Sequence, residues 1–329
     1  MLARLAYRAA ARQDALWSQY AQELLAMAEE LGLEELRAFV LMTIGTARGQ
    51  AGEPGALEAL EQAAEAADAI DSPVSIQTRI NLAAQLQLHG ELSHCFEVQA
   101  RARRDAERFG MRSDIRHLRA ELIIEYYWRG RWDEASREAD VLLAEIEEGS
   151  PHPVGEIVVS CLRAHIRLAR DDLEGALADG EQAVVRAREY PIWGYLAFAL
   201  VGDARVLLAA GRSGEADPLV TEALELNMSD VAYAGLDLAL AVVELGRADE
   251  LLPFATKPYI WFEAAKALVA GDDVRAADLY AEIGSLPDEA DARLHSGIES
   301  EVRRALDFYR SVGATRYIKE AEALLAASA

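Results

Sequence analysis

The segment Tyr126-Tyr127-Trp128-Arg129-Gly130-Arg131-Trp132-Asp133-Glu134-Ala135 compresses an aromatic helix end, a glycine turn and the start of a second amphipathic helix. On its C-terminal side Trp132, Ala135, Ala139, Leu142 and Ile146 recur in steps of three and four, which places one apolar stripe on one helix face. On its N-terminal side Ile115, Leu118, Leu122 and Tyr126 keep the same period. Two such helices pack antiparallel across Gly130, so the stretch predicts a helical hairpin.

Weaker copies flank it. Turn positions between helical patterns fall at Gly49, Gly90, Gly130, Arg170, Gly211, Gly246 and Gly271, with separations of 41, 40, 40, 41, 35 and 25 residues. Successive near-equal intervals are the signature of a repeat array, and the shortening towards the C-terminus marks degenerate units. Small residues near the start of the second helices, Cys95, Ala135, Ala176, Ala216 and Ala276, mark where two helices approach closely. The prediction is an all-α, right-handed α-solenoid of about eight antiparallel helix pairs in a single repeat domain. Within it residues 1–31 form a remnant first hairpin, 32–229 the regular repeats, and 230–329 shortened repeats with a closing helix.

Composition agrees, because Ala, Leu, Glu and Arg dominate while Gly and Pro are sparse and spaced. The net charge of −23 repels a phosphate backbone, so no direct nucleic-acid binding is expected of the chain as a whole. Cys95 and Cys161 sit apart in apolar-periodic segments and read as buried free thiols of a reducing compartment. No apolar run reaches the roughly 18 residues a membrane span needs. Residues 1–12, with Arg4, Arg8 and Arg12, have neither the apolar core nor the cleavage site of a secretory signal, and a cytoplasmic location is expected.

Boundaries carry capping chemistry. Asp71-Ser72-Pro73, Ser113-Asp114, Ser150-Pro151-His152-Pro153, Tyr190-Pro191 and Ser229-Asp230 each supply an N-cap side chain or a proline ahead of a new hairpin. An array starting mid-repeat exposes Leu5, Leu16, Trp17 and Leu24, as an excised piece of a longer protein does. Those exposed end hairpins also make a homo-oligomer an expected alternative. Pro253, after Leu251-Leu252, breaks the second helix of the sixth unit.

A glycine hinge with a small residue five positions later and an aromatic or leucine four before it resembles the tetratricopeptide pattern. The period near 40 resembles the extended repeats of bacterial regulators related to the maltose-regulon activator. Residues 28–38, Ala-Glu-Glu-Leu-Gly-Leu-Glu-Glu-Leu-Arg-Ala, continue to Gly52-Glu53-Pro54-Gly55 and Leu57-Glu58-Ala59-Leu60-Glu61. That passage resembles the C-terminal halves of large bacterial proteins joining a nucleotide cyclase or winged-helix module, a regulatory ATPase and a tetratricopeptide array. The closing Ala305-Leu306-Asp307-Phe308-Tyr309-Arg310-Ser311-Val312-Gly313-Ala314-Thr315-Arg316-Tyr317-Ile318 is similar to their extreme C-terminus. The resemblance implies a noncatalytic scaffold or sensor module that binds a protein or peptide, with self-association or an enclosed small molecule as alternatives.

No phosphate-binding loop or metalloprotease helix is present, and no cofactor is expected. His89, His94 and Cys95 lie close in sequence but read as ordinary side chains, so no metal is expected. Counting back from Gly90, Asn81 falls where the tetratricopeptide family often clamps a ligand, one turn after Gln77; an amide there can pair with a peptide unit or with a neighbouring helix. Glu121, Tyr127, Trp128, Arg167 and Arg205 take comparable first-helix positions, with Tyr127 and Trp128 as exposed aromatic anchors and Tyr126 in the core. Arg101, Arg104 and Arg108 share one helix face, and Arg112, Arg116 and Arg119 the next. This local inversion of charge suits an acidic peptide or phosphate, or else a solvated face paired with neighbouring carboxylates.

Overall fold

In the computed structural model, residues 17–149, 151–190, 193–226, 232–251 and 258–327 are described, and every regular element among them is helical. The first helices are α1 (Trp17–Glu30), α2 (Glu34–Ala51), α3 (Ala56–Ala69), α4 (Val74–Leu88), α5 (Leu92–Phe109) and α6 (Arg112–Trp128). There follow α7 (Trp132–Glu147), α8 (Pro153–Ala169), α9 (Leu173–Glu189), α10 (Trp193–Ala209), α11 (Ser213–Glu225) and α12 (Gly235–Glu244). The last are α13 (Ile260–Val269), α14 (Asp273–Ile283), α15 (Leu286–His295), α16 (Glu299–Val312) and α17 (Thr315–Ala327). Consecutive helices pack as hairpins, and the fold is a tetratricopeptide-like helical repeat.

Five expected hinges hold: Gly90, Gly130, Gly211, Gly246 and Gly271 all adopt the left-handed backbone. Two shift. Gly49 lies inside α2, where a Cβ would stand 2.3 Å from the Gln85 side chain, so it serves close helix approach, and the chain turns at Gly52 and Gly55 instead. At the fourth hinge Asp171 (φ 66°), not Arg170, takes the left-handed position. Aspartate tolerates that region better than most side chains, which explains how the array turns without glycine.

Helix starts follow local chemistry. The Gly155 N–H donates to His152 Nδ1 (2.8 Å) with Pro153 at the first helical position of α8. The N–H groups of Gly175 and Arg275 donate to Asp172 and Asp272 at the heads of α9 and α14. Ser113 and Asp114 are not caps, because α6 already begins at Arg112. Pro191, Ser229, Asp230, Leu252 and Pro253, with residues 1–16, lie outside the described residues, as does the side chain of Trp17. In the sixth unit a single 3-10 turn, Ala248–Glu250, replaces the start of the expected helix.

The chain divides into two compact units. One comprises the described residues up to Gln87 together with Glu91–Leu118, and the other Leu88–Gly90 with Arg119 onwards. In the first, Leu24 is buried with Ala21 against Val40, contrary to the expected exposure, while Ile76, Ala102, Ala106 and Leu118 form a second apolar cluster. In the second, the small residues Ala135, Ala176, Ala216 and Ala276 are fully buried, as is Cys95 in the first. The closing pair α16–α17 packs along the hinge edge of the α7–α10 hairpins. Gly130 faces the Phe308 ring, which meets Trp132 edge-on at 5.8 Å, Arg170 Nη2 donates to the Val312 carbonyl (3.1 Å) and Arg316 Nη2 to that of Ala209 (2.8 Å).

Candidate functional site

That return of the closing helices decides where a site can be. Tyr127 and Trp128 are buried at 6% and 5% exposure and are not surface anchors. Tyr127 stacks on Trp132 at 5.7 Å, and Trp128 lies 5.8 Å from Trp261 and 5.9 Å from Tyr233. Tyr126, expected in the core, is the half-exposed one and carries the Arg131 guanidinium over its ring at 4.4 Å. The reversal has a plain cause: helical period identifies one apolar face, and His165, Tyr233 and Trp261 supply partners for the other.

In the first unit, Gln77 Nε2 donates to Asn81 Oδ1 (3.0 Å) and Asn81 Nδ2 donates to Thr46 Oγ1 (2.9 Å), so the amide bridges α4 to α2. The arginine run divides. Arg101 bonds Asp68 at 2.5 Å and Arg108 bonds Asp71 at 2.5 Å, while in the second unit Arg119 bonds Glu138 (3.1 Å) and Glu145 (2.8 Å). Arg104, Arg112 and Arg116 have no ion pair to a described residue. Arg79, which the sequence reading passed over, is the buried cation of this region, held by Asp68 (2.6 Å) and Asp105 (2.7 Å). Glu121 is half-buried on α6, and Arg167 pairs with Asp179 at 2.9 Å.

Of the sequence candidates, Arg205 lines a cavity of ligand size. A cleft of about 500 Å³ in the second unit is walled by Leu168 of α8, Leu208 and Ala209 of α10, Leu240 and Val243 of α12, and Leu294 of α15. Arg205, Glu244, Asp291, His295, Arg316, Tyr317 and Glu320 add polar atoms. Its volume is that of a small-ligand site, and the mix of apolar wall and few polar groups is the usual one.

Arg205 is locked in place. Nη1 donates to Asp237 (2.7 Å), Nη2 donates to Asp291 and reaches the Tyr317 hydroxyl (3.4 Å), and the Tyr309 hydroxyl donates to the other oxygen of Asp291 (2.5 Å). Burial opposes the Arg205 charge, but Asp291, Tyr317 and Asp237 hold its pKa well above the ordinary value. Behind it lies more polarity than an apolar core normally admits. Burial pushes Asp288 up to about 8, reinforced by Asp237 and Asp291 and opposed by its hydrogen bond from Ser285 (2.8 Å) and by Arg205. Burial likewise lowers the His165 pKa, and its Nε2, 3.9 Å from Asp237, has no hydrogen-bond partner in the described structure. The buried Tyr280 hydroxyl is also without one.

Sequence reasoning missed Asp237, Asp288, Asp291 and His165. The available signal was a lone polar residue inside an apolar run, as in Gly235-Leu236-Asp237-Leu238-Ala239-Leu240 and Ala164-His165-Ile166. Among the described residues no three metal-ligating side chains converge, and no helix is long and apolar enough to cross a membrane. Cys95 and Cys161 are buried and form no disulfide, and burial raises the Cys161 thiol well above its ordinary range, which disfavours its thiolate.

The class these features define is a helical-hairpin repeat with a ligand-sized cleft in its second unit. No family model and no curated protein matches the chain. Among solved structures it is similar to human IFIT1 as a dimer with m7Gppp-AAAA, at 15% identity over 89% of this chain and 67% of that one, with a TM-score of 0.40. A monomeric IFIT1 mutant with Gppp-AAAA matches at 15% identity over 89% and 68%, TM-score 0.40. Another, an IFIT1 monomeric mutant with m7Gppp-AAAA in the anti conformation of the cap, matches at 17% identity over the same shares, TM-score 0.40.

Proposed function

We propose that the chain is a noncatalytic binding scaffold whose recognition site is the α8–α10–α12–α15–α17 cleft, serving as the sensor module of a larger bacterial signalling or transcription regulator. The observation that supports this is Arg205, fixed by two carboxylates at the wall of a cavity of ligand size. Occupancy of the cleft ties the closing helix α17 to α8, α10 and α12, so a bound ligand stabilises the closed arrangement by mass action. A thermal-shift survey of metabolites and short peptides, repeated on Leu240→Trp, tests the reading. Leu240 is a half-buried wall residue, and an indole there fills the cleft. Stabilisation by some compound that vanishes in Leu240→Trp supports the cleft as the site; stabilisation that persists in the variant removes it.

Self-association is a second reading, favoured by a different observation. Tyr20 and Met27 on one face of α1, and Leu31 just past its end, are 42%, 44% and 61% exposed. Such a stripe suits stacking on another copy. Sedimentation velocity over a concentration series decides it, since a monomer at every concentration leaves no room for it.

A further inference from the structure

The polar groups of the cleft are unequally committed. Of its two arginines, Arg205 is paired with Asp237 and Asp291, while Arg316 donates to the carbonyl of Ala209. Its carboxylates are in surplus, with Glu244, Asp291 and Glu320 on the walls and Asp237 directly behind Arg205. Glu320, at the rim, has no hydrogen bond or ion pair to a described residue, and partial desolvation and the neighbouring Asp291 raise its pKa against the opposing pull of Arg316, His295 and Arg205.

Backbone adds to this bias. Four helices reach the cleft through their C-terminal turns: α8 at Leu168, α10 at Leu208 and Ala209, α12 at Val243 and Glu244, and α15 at Leu294 and His295. Each terminus turns the negative end of its dipole towards the cleft, although the carbonyls of Leu168, Leu208, Val243 and Leu294 already accept from the N–H groups of the turns that follow. Arg316 already donates to the Ala209 carbonyl at the end of α10, which shows that a cation is accepted there. The opposing contribution, the N-terminal turn of α17, is met by Asp171, whose carboxylate accepts from Lys319 (2.5 Å) and from the Thr315 hydroxyl. An anion therefore meets the negative ends of four helices and the surplus carboxylates, while Arg205 is already paired with two of them.

We infer that the cleft binds an organic ammonium group carried on a short apolar chain, the ammonium seated against Glu320 at the negative ends of the four helices and the chain against Leu168, Leu208, Leu240 and Leu294. This rests on the cleft being the recognition site. A free alkylamine and the lysine side chain of a peptide share this chemistry, and the experiment below separates them.

The test is isothermal titration of the whole chain with hexylamine, hexanol, hexanoate and a capped Gly-Lys-Gly tripeptide, each repeated on Glu320→Gln and Leu240→Trp. Expected is binding of hexylamine, of the tripeptide, or of both. The affinity falls about ten-fold or more in Glu320→Gln, the usual effect of losing a charge-assisted contact, and is lost in Leu240→Trp. The amine that binds more tightly identifies the source. Hexanoate or hexanol binding as tightly as hexylamine, yet lost in Leu240→Trp, overturns the ammonium assignment and leaves the cleft in place. Amine binding unchanged in Glu320→Gln also overturns the assignment. Binding by none of the four overturns it too, and a Leu240→Trp-insensitive response removes the cleft itself. Glu320 is on the surface rim of α17, so its amide variant is expected to fold, which a melting curve matching that of the parent checks.

Discussion

Asp288→Asn is the substitution with the clearest sign. The native carboxyl is buried beside Asp237 and Asp291 and pushed up to about 8, against an ordinary aspartate value near 4. Between those limits the folded protein holds a proton that the unfolded chain has released. A raised carboxyl pKa therefore contributes stability that is fully present below the unfolded value and is lost as pH rises through the folded one. The slope is about 1.4 kcal/mol per pH unit, or roughly 3 kcal/mol between pH 5 and 7. Asparagine matches the neutral form in size and still accepts from the Ser285 hydroxyl, the bond that Asp288 makes at 2.8 Å. Urea unfolding at half-unit steps from pH 5 to 8 measures both proteins. The variant is expected to lose most of the negative slope attributable to this group, and to match or exceed the parent at pH 8. A variant with the parental slope, or one less stable at pH 8 by 2 kcal/mol or more, refutes a protonated Asp288.

Further substitutions probe other parts of the account. Arg205→Met strands Asp237 and Asp291 and is expected to cost about 3–5 kcal/mol in denaturant unfolding, the penalty for breaking a buried ion pair. Asp237→Asn added to it recovers part of the loss. Trp128→Ala is expected to cost about 3–5 kcal/mol as a core truncation, whereas a surface anchor loses almost none. Gly130→Ala combines a left-handed backbone (φ 68°) with a Cβ 2.9 Å from Phe308, while Gly211→Ala has the same backbone strain (φ 72°) and open space around it. The first is expected to lower Tm several degrees further than the second, which carries only the conformational penalty of roughly 1 kcal/mol.

Helices, hinges and repeat length were legible because each is written in short-range pattern. The one irregular spacing is instructive. Cys95, Ala135, Ala216 and Ala276 follow their hinges by five residues, but Ala176 follows Arg170 by six. With Asp171 as the left-handed residue the spacing becomes five again, so the register was present in the sequence without a glycine to mark it. The site was less legible. Arg205, Asp237 and Asp291 meet across 32 and 86 residues of sequence, and no periodicity encodes a contact between hairpins that far apart. Trp128 was misplaced for the same reason, since its ring partners Tyr233 and Trp261 lie more than a hundred residues away, and Tyr127 meets His165 of the next hairpin.

The most direct test of the cleft as the recognition site is a map of backbone amide shifts on titration with hexylamine. The account predicts that the largest changes fall together on Leu240, Val243, Leu294, Tyr317 and Glu320. Changes centred instead on the arginine face from Arg101 to Arg116, or on α1, contradict it.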